Sequence, residues 1–450
     1  MKIEVAGAGA GKTSRMASRI LSIDIPDGKI VYCIAFTNAA AENIRNKLIE
    51  QNGLLPDNVK VSTIHSFLYT EFIRPYYHLL YGSRYTKIST IKLPPQPQFR
   101  RKKLSELDSI HVLHQTAIPE KAKWVVYKKS NDNAQIKAMR AKVIAMFAAY
   151  CYKIIIDEAQ DIDKNIRDIL LALNRANVDV ELSGDPKQDI KGYGCFRELI
   201  NMHPSGVSYN NECHRSPQLH LQLSNRLAQK NEQQVADANN NVGSIEVLFE
   251  TDLNISTFVS NDTFGLLYIS KKNDRFDTHA SIGKRRAIDT LRYELGIAIQ
   301  EKNGTTTTDL EIKRIAYYLA EQMLKLVSNG SAINDVINEG ISGGYYDYNN
   351  VTYARIADAL KVDSSTENGS IIVRSIEAVK GLEHDKCLFI LTTDLVPYLL
   401  GDKTDDNKTK HLLYVALTRS LNSLTILVTT EVENRYTRKR ILDAFEMELL

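Results

Sequence analysis

The chain has 450 residues, of which 43% are hydrophobic and 25% are charged, and its formal net charge is +3. These values are typical of a water-soluble globular protein of two to four domains, and no apolar run reaches the roughly 18 residues of a membrane-spanning helix. The five cysteines are scattered without a Cys-x-x-Cys pair, which favours reduced thiols in a cytoplasmic protein over zinc ligands or disulfides.

The first predicted elements are a short apolar strand, a loop of small residues and a helix that begins at Gly-Lys-Thr. Because the strand begins at residue 2, we expect no cleaved signal peptide. Glycines let backbone N–H groups surround phosphate oxygens, Lys12 can reach the β- and γ-phosphates, and the Thr13 hydroxyl can ligate Mg²⁺. A glycine-rich turn without a ligand is the alternative. The predicted nucleotide-binding residues are Gly7, Ala8, Gly9, Ala10, Gly11, Lys12, Thr13 and Ser14.

Strands and helices alternate as far as residue 66, and this alternation then breaks. The predicted elements are a strand at Lys29–Phe36, a helix at Ala39–Leu48 capped by Thr37-Asn38, and a short strand and turn at Val61–Phe67. Residues 70–148 then read as an inserted subdomain, with a proline-rich loop at 94–97 and a helical stretch at Ala134–Ala149.

This inserted region is strongly basic. From Arg74 to Tyr150 there are fifteen Lys and Arg residues against four Asp and Glu residues, a local charge of +11. Such a regional excess of positive charge attracts the phosphate backbone of a polynucleotide and predicts binding that weakens steeply with salt. A solvated basic face without a ligand is the alternative.

A continuous apolar strand at residues 152–156 ends in two adjacent acids, Asp157 and Glu158. Parallel sheets bind ligands beyond the carboxyl ends of their strands, so this strand should bring its acids to the same edge as the phosphate loop. There Asp157 would hold Mg²⁺ and Glu158 would orient or deprotonate the attacking water. A charge pair at a helix N-terminus is the alternative. A further strand at Val178–Leu182 leads to Gly184-Asp-Pro-Lys-Gln188.

After Pro204 a second unit begins, and its pattern indicates strands, helices and a mostly helical insertion at 271–366. The predicted strands are Ser244–Phe249, Thr263–Ile269, Ser370–Ser375, Lys386–Thr392 and Ser423–Thr429. The predicted helices are Pro217–Gln229, Ala280–Gln300, Asp309–Ser328, Tyr353–Leu360, Lys410–Ser420 and a charged closing helix.

The order of these motifs resembles the UvrD/Rep/PcrA group of superfamily 1 helicases over nearly the whole chain. The segments that carry the resemblance are AGAGAGKT (6–13), AFTNAAAENIR (35–45), STIHSF (62–67), IIIDEAQD (154–161), LSGDPKQDI (182–190), VKGLEHD (379–385) and LLYVALTR (412–419). The resemblance implies an α/β fold with two RecA-like parallel-sheet P-loop domains, each with an inserted, mostly helical subdomain. The implied first RecA-like domain comprises residues 1–69 and 149–203, with the basic insertion at 70–148. The implied second RecA-like domain comprises 204–270 and 367–450, with the reduced insertion at 271–366.

The resemblance also assigns roles to residues. Arg215 and Arg419 would reach the γ-phosphate when the two domains close, whereas a surface ion pair is the alternative for either one. His65 could equally be a core histidine. The implied catalytic residues are Glu158, Gln188, Arg215 and Arg419. Base and ribose would be held by His214 and Glu383, and the metal by Thr13 and Asp157. The implied nucleic-acid contacts are Phe36, Thr37, Asn38, Thr63, His65 and Tyr193.

The sequence departs from the family pattern at several positions. No adenine-reading glutamine segment precedes Met1, and His214 replaces the usual aromatic residue that stacks on the base. Glu377 replaces a histidine and Ala39 a lysine, and the usual Arg-Gly-Ala is replaced around residues 194–196. The base preference therefore stays open, with GTP or other triphosphates as alternatives to ATP, and processive unwinding is not assumed.

We expect an ATP- and Mg²⁺-dependent translocase or helicase that moves 3′→5′ on single-stranded or tailed DNA, the polarity being taken from the family. The alternative is a DNA-sensing NTPase subunit that unwinds little and regulates a protein partner such as a nuclease. Compact relatives of this kind occur in anti-phage systems such as Gabija, which is an analogy of size. A third reading, a P-loop NTPase acting on metabolites or RNA, leaves the last two motifs and the basic insertion unexplained. We expect no membrane partner.

Overall fold

Parallel β-sheets form the framework of the chain in a computed structural model, which describes residues 1–261, 263–278, 284–304, 307–360 and 371–446. The strands up to residue 210 are β1 (Lys2–Ala6), β2 (Ile30–Ala35), β3 (Val59–Thr63), β4 (Lys87–Ser89), β5 (Val112–His114), β6 (Cys151–Ile156), β7 (Asp179–Gly184) and β8 (Val207–Asn210). The later strands are β9 (Glu212–Cys213), β10 (Val235–Ala236), β11 (Ser244–Phe249), β12 (Leu266–Ile269), β13 (Phe276–Thr278), β14 (Ile371–Ser375), β15 (His384–Leu391) and β16 (Ser420–Val428).

Helices connect these strands along the whole described chain. Up to residue 225 they are α1 (Lys12–Leu21), α2 (Asn38–Asn52), α3 (Ile64–Leu68), α4 (His78–Tyr81), α5 (Pro97–Ser109), α6 (Ile118–Val126), α7 (Ala134–Tyr150), α8 (Lys164–Arg175), α9 (Cys195–Met202) and α10 (Gln218–Asn225), with a π-helix at Tyr69–Tyr77 between α3 and α4. Beyond it they are α11 (Ile255–Asn261), α12 (Lys284–Asn303), α13 (Asp309–Ser328), α14 (Ile333–Ser342), α15 (Asn350–Leu360), α16 (Ile376–Val379), α17 (Val396–Leu399), α18 (Lys408–Leu417), α19 (Thr430–Arg435) and α20 (Arg438–Glu446).

The first large sheet has the strand order β3-β2-β6-β7-β1-β8, and all its pairs are parallel. Strand β7 lies between β1 and β6, so the loops that follow these three strands meet at one edge of the sheet. The apolar faces of α1 and α2 pack on β2 through a core that includes Met16, Ile44 and Cys33. The sheet therefore brings residues 7–12, 157–161 and 185–188 together.

The second large sheet has the order β11-β16-β15-β12-β14-β13 and is also parallel throughout. Strands β12, β15 and β16 contain near-continuous buried apolar runs, as in sheets that are covered on both faces. Tyr268 and Phe389 stack in neighbouring strands with their ring centroids 5.7 Å apart, and α18 packs its buried residues into the same core.

The chain forms two compact units. One comprises residues 1–83, 118–279 and 371–450 and holds both large sheets. The other comprises 84–117 and 280–370, and it holds the two-stranded sheet β4-β5 and the helical core of α12 to α15. None of the described helices combines the length and apolar composition that crossing a bilayer requires.

The predicted fold class, two parallel-sheet domains with additional helices, is confirmed. The domain boundaries stay predictions, and the one between residues 366 and 367 lies outside the described residues, as do Ala280 at the start of one predicted helix and Ser370. Several element ends were wrong. The predicted helix Pro217–Gln229 ends at Asn225, and a 3₁₀ turn at Lys230–Glu232 follows it.

Two further corrections have clear physical causes. The predicted helix Lys410–Ser420 ends at Leu417, because Ser420 already pairs with His384 as the first residue of β16. The predicted strand and turn at Val61–Phe67 is a strand that ends at Thr63, whose side chain accepts a hydrogen bond from Ser66 N (3.3 Å) and so begins α3.

Candidate nucleotide and nucleic-acid site

The loop after β1 has the backbone of a phosphate-binding loop. Gly9 and Gly11 have φ angles of 70° and 68°, in the left-handed region that favours glycine. A Cβ atom at Gly9 would lie 2.7 Å from Arg215 Cβ, so this position also has no room for a side chain. Helix α1 begins directly after the loop, at Lys12, and Ser14 lies exposed in its first turn.

The carbonyl groups of this loop are held by donors from the protein. Five consecutive carbonyl oxygens accept hydrogen bonds, which fixes the orientation of the peptide groups between them. The pairs are Lys12 Nζ with Ala6 O and Gly7 O (3.1 Å each), Gln234 Nε2 with Ala8 O (2.9 Å), His214 N with Gly9 O (3.0 Å), and Arg15 Nη1 with Ala10 O.

Thr13 and Asp157 form a pair suited to a hard cation. The Thr13 hydroxyl donates a hydrogen bond of 3.0 Å to Asp157 Oδ2, so two oxygen ligands from β1–α1 and β6 lie side by side. Burial and the neighbouring Glu158 raise the pKa of the Asp157 carboxyl to about 6, although Lys12 opposes this shift. A hydroxyl and a carboxylate beside a phosphate loop fit Mg²⁺, which prefers such oxygen ligands.

Glu158 is held in an unusual backbone conformation. Its φ of 56° places a side chain in the left-handed region, which costs of order 1–3 kcal/mol and is found mostly at functional sites. The side-chain amide of Gln160 donates to the Glu158 carboxylate and accepts a hydrogen bond of 3.0 Å from Asp185 N. Gln160 is fully buried, and it thus links the loops after β6 and β7.

The role of Gln160 was missed in the sequence, although the residue lies inside the IIIDEAQD segment. The available signal was its position two residues after Glu158. A Cβ at Gly184 would lie 2.7 Å from Gln160 Oε1, so the glycine before Asp185 makes room for this amide.

Gln188 is fixed by the buried acid beside it. Gln188 Nε2 donates to Asp185 Oδ2 over 3.0 Å, and Lys187 Nζ pairs with Asp185 Oδ1 over 3.0 Å. Burial alone would raise the pKa of the Asp185 carboxyl, but Lys187 and Lys12 hold it below its ordinary value. The Gln188 amide is therefore oriented by an ionised carboxylate.

The two predicted arginines lie near each other. Arg215 pairs with the carboxylate of Glu383, the residue expected to hold the ribose. Arg419 is 1% exposed, and its Nε donates to Val415 O over 2.9 Å. Burial and the positive charge of Arg215 lower the pKa of Arg419. Glu383 and Arg419 immediately precede the neighbouring strands β15 and β16, which explains their proximity.

His214 lies beside the end of the phosphate loop. Its Cδ2 is 3.9 Å from the position that a Cβ would take at Gly11, and its ring is exposed. Its Nδ1 is 3.0 Å from Asp237 Oδ2, so a carboxylate fixes the orientation of the imidazole. The stacking of a base on this ring stays a prediction.

A cavity of about 590 Å³ lies beside Glu158 and Gln188. Three of the predicted nucleic-acid contacts belong to this region, since Phe36, Thr37 and Tyr193 line the same cavity. Its remaining lining residues are Ala40, Asp161, Ile190, Lys191, Glu377, Lys380, Gly381 and Lys408. The side chains predicted to act in hydrolysis, Glu158 and Gln188, thus line the same cavity as an aromatic and basic surface.

Lysine and aromatic side chains are combined within this cavity. Lys191 Nζ lies 5.6 Å from the ring centroid of Phe36 and 5.8 Å from that of Tyr193. Lys380 Nζ pairs with Asp161 over 2.9 Å, and Lys191 approaches the same carboxylate to 3.8 Å. Neither lysine was predicted as a contact, although Lys380 lies in the VKGLEHD segment and Lys191 directly follows LSGDPKQDI.

The other predicted contacts lie outside this lining. Asn38 is exposed, and the Thr63 side chain accepts the N-cap hydrogen bond of α3. Thr37, which does line the cavity, accepts the corresponding bond of α2. A hydroxyl that accepts such a bond keeps its own hydrogen for another acceptor. His65 is half-buried, and burial lowers the pKa of its imidazole, with a smaller contribution from Lys191.

The basic region 74–150 is divided between the two compact units, since residues 84–117 belong to one and the flanking parts to the other. Two of its cations are used internally: Lys103 pairs with Glu294 over 2.7 Å, and Arg140 pairs with Asp132. Lys121 and Lys129 lie over the ring of Trp124, 4.7 and 4.4 Å from its centroid.

Two family models match the chain. Residues 2–193 match the family described as AAA domain, and residues 298–428 match the viral superfamily 1 RNA helicase core domain. Among curated proteins, the chain is 30% identical over 193 residues to the Gabija protein GajB of Bacillus cereus (strain VD045). That match covers 41% of this chain and 36% of the relative, so the alignment spans about a third of the relative's length.

Two solved structures are similar over most of this chain. One is arterivirus nonstructural protein 10, a helicase, in complex with DNA, with 10% identity, a TM-score of 0.36 and coverage of 94% of this chain and 60% of that chain. The other is the PRRSV helicase, with 10% identity, a TM-score of 0.35 and coverage of 95% and 52%.

Proposed function

We propose that this chain, which carries a superfamily 1 helicase core, is an enzyme that hydrolyses ATP. It would use the cycle of ATP binding and hydrolysis to move along single-stranded DNA. Movement in the 3′→5′ direction is part of this proposal and follows the resemblance to the UvrD/Rep/PcrA group. The matched domains support an NTPase of the helicase type.

The observation that carries the proposal is the shared cavity beside Glu158 and Gln188. Phe36 and Tyr193 offer aromatic faces on which unpaired bases can stack, and Lys191 offers a positive charge for the backbone. A strand bound there would contact the wall that also holds the hydrolytic residues. Binding of a polynucleotide would thereby change the surroundings of the residues at the nucleotide site.

The protein's own groups account for the hydrolytic step. Glu158, held by Gln160, would orient and deprotonate the attacking water, and Gln188 would hold the water or the γ-phosphate. Arg215 and Arg419 would neutralise the charge that develops on the phosphoryl oxygens. Thr13 and Asp157 would hold Mg²⁺, which would supply neutralisation of phosphate charge.

Lys380 links the second sheet to the residues proposed to act in hydrolysis. It lies in the segment between α16 and β15, yet its Nζ pairs with Asp161 after β6. His411 of α18 likewise contacts Asp189 O over 2.9 Å. Both contacts join a segment of the first sheet's half to a segment of the second sheet's half. A change in the distance between the two sheets would therefore alter the proposed binding site for the DNA strand.

A second candidate function is an NTPase subunit that senses DNA, unwinds little and regulates a partner such as a nuclease in an anti-phage complex. The observation that favours it is the 30% identity over 193 residues to the Gabija protein GajB. Both candidates use the same hydrolytic site, and they differ in whether strand movement accompanies turnover.

The test is triphosphate hydrolysis with ATP, GTP and CTP, each alone, with single-stranded DNA and with single-stranded RNA, beside a strand-displacement assay. Stimulation by DNA together with 3′→5′ displacement is the expected result. Stimulation without displacement would favour the sensing subunit, and stimulation by RNA alone would overturn the DNA assignment. Lys12→Ala should abolish hydrolysis while DNA binding stays measurable, with Lys47→Ala, at a half-buried lysine on α2, as the matched control.

A further inference from the structure

The segment that joins the two large sheets lies against the phosphate loop. It runs from the end of β8 at Asn210 to the start of β11 at Ser244 and includes the small sheet β9-β10. We call residues 211–243 the connector. His214 N and Gln234 Nε2 of the connector donate to Gly9 O and Ala8 O of the phosphate loop.

Gln234 is the most enclosed of these contacts. It is 4% exposed, and its Nε2 donates a hydrogen bond of 2.9 Å to Ala8 O. A Cβ at Gly7 would lie 2.2 Å from Gln234 Cδ, so the amide group packs directly on the glycine. The absence of a side chain at Gly7 is therefore needed by Gln234 as well as by a phosphate.

The other end of the Gln234 amide is held from α18. The Tyr414 hydroxyl donates to Gln234 Oε1 over 2.9 Å, and Tyr414 is 1% exposed. Lys187 Nζ lies 5.2 Å from the centroid of the Tyr414 ring and also pairs with Asp185. Tyr414 is thus in contact with the connector through Gln234 and with the loop after β7 through Lys187.

We propose that Gln234 is a positioning residue for the phosphate loop and that Tyr414 acts on nucleotide binding through it. The inference rests on the proposed NTPase function, because it assigns a role within that site. The Gln234 amide fixes the peptide group between Ala8 and Gly9 through its N–H group and is itself fixed through its oxygen. Both halves of the amide are used, and among the other side chains only that of Asn, which is one methylene shorter, carries the same amide group.

A change at Gln234 should affect binding more than chemistry. The phosphate loop surrounds the triphosphate in the ground state and in the transition state alike, so loosening it removes interactions common to both. Gln234→Met retains the volume but loses both hydrogen bonds, and we expect the KM for ATP to rise roughly tenfold with kcat changed less than about twofold.

Tyr414→Phe removes only the hydroxyl that fixes the amide oxygen, so the rise in KM should be smaller, roughly threefold. If Tyr414 acts through Gln234, the double variant should match Gln234→Met alone. Such non-additivity is not expected from two independent losses of packing. Gln233→Met is the matched control, because this neighbouring glutamine is exposed and bonds only within the connector, to Asn225 O.

The experiment measures KM and kcat for ATP in the full chain for the wild type and these four variants, with unfolding midpoints to verify folding. A wild-type KM in Gln234→Met, or additive effects in the double variant, would overturn the inference while leaving the proposed function intact. Failure of the wild type to hydrolyse any triphosphate would count against the proposed function. In that case affinity for a fluorescent ATP analogue, measured in the same variants, still tests the role of Gln234.

Discussion

Arg215 pairs with Glu383, and the same arginine lies against the phosphate loop at Gly9. The pair joins the connector to the segment that precedes β15. A guanidinium group is therefore held beside the phosphate site with its charge balanced by a carboxylate. An incoming triphosphate would compete with Glu383 for this group.

We predict that Arg215→Ala lowers kcat by about 10³-fold, because the guanidinium group would stabilise charge only in the transition state. Arg215→Lys should stay similarly slow, since an ammonium group lacks the planar fork of donors. Steady-state hydrolysis of ATP in the presence of DNA checks this. Arg438→Ala, which removes an exposed ion pair with Asp252, is the control. A kcat near the wild-type value in Arg215→Ala would remove this arginine from the mechanism.

Gln160→Leu should lower kcat by roughly tenfold or more with little change in the KM for ATP. The amide of Gln160 fixes the Glu158 carboxylate, and a general base that is less well oriented loses rate rather than ground-state binding. The measurement is a KM and kcat comparison with Gln51→Leu, a change at an exposed glutamine on α2. An equal loss in both variants would argue against a specific role.

Tyr193→Ala and Phe36→Ala should each weaken binding of single-stranded DNA by roughly 5- to 100-fold, the loss expected for one stacked base. Hydrolysis without DNA should change less than the DNA-stimulated rate. Fluorescence anisotropy of a labelled oligonucleotide measures the binding. Tyr209→Ala is matched to Tyr193→Ala, because the two tyrosines are 40% and 45% exposed and Tyr209 lies outside the cavity lining. Equal weakening by the Tyr209 variant would contradict the assigned strand path.

Binding of single-stranded DNA should also depend steeply on salt. Replacing both Lys121 and Lys129 with Gln should reduce the slope of log K against log salt by about 1.4, since each phosphate contact contributes about 0.7 for single strands. Titrations between low and moderate salt give this slope. Lys47→Gln, at a lysine paired with Glu50 on α2, should leave it unchanged. An unchanged slope in the double variant would exclude the surface around Trp124 as a phosphate contact.

Asp132→Ala should destabilise the chain by about 2 kcal/mol, because it leaves Arg140 without its partner in a pair whose side chains are 4% and 7% exposed. Chemical denaturation measures the difference. Asp252→Ala removes a partner of Arg438 in a pair whose side chains are 53% and 42% exposed, so its midpoint should move much less.

The effect at Asp132 should also depend on pH. Burial would raise the pKa of its carboxyl, but Arg140 and the Lys129 N–H group hold it below the ordinary value. A carboxyl whose pKa is lower in the folded chain than in the unfolded chain stabilises the fold when the pH is above its unfolded pKa, which is about 3.9 for Asp. This stabilisation is lost as the pH falls below that value and through the pKa of the folded state. The difference in free energy of unfolding between Asp132→Ala and the wild type should therefore become smaller in acid. A difference that grows in acid would contradict a lowered pKa for the Asp132 carboxyl.

The sequence was most informative where chemistry requires a fixed local pattern. The loop at residues 6–13 follows a strand and opens a helix, and the acids after β6 come to the same sheet edge, where Thr13 meets Asp157. The two family matches, over residues 2–193 and 298–428, support the predicted superfamily 1 helicase core, whereas the UvrD/Rep/PcrA subgroup stays a prediction. The roles of the individual site residues also stay predictions.

Other features depend on contacts between distant segments. Gln234 carries no local signal, because its importance comes from how the connector folds onto Gly7 and meets Tyr414, 180 residues further along the chain. The helix α14 was not predicted, since Ile333–Ser342 contains Gly, Asn and Ser residues that favour turns. The basic excess in residues 74–150 gave no indication that Lys103 and Arg140 would be buried in ion pairs.

The connector also limits how this chain can be divided. A fragment that ended at Asn210 would hold the entire first sheet, the phosphate loop and both acids, yet it would lack the donors that His214 and Gln234 provide to that loop. A graft of the first sheet into another scaffold would therefore carry the nucleotide-binding sequence without the supports of its backbone. The transplantable module for triphosphate binding is larger than the sheet that displays it, and it extends through the connector to Tyr414.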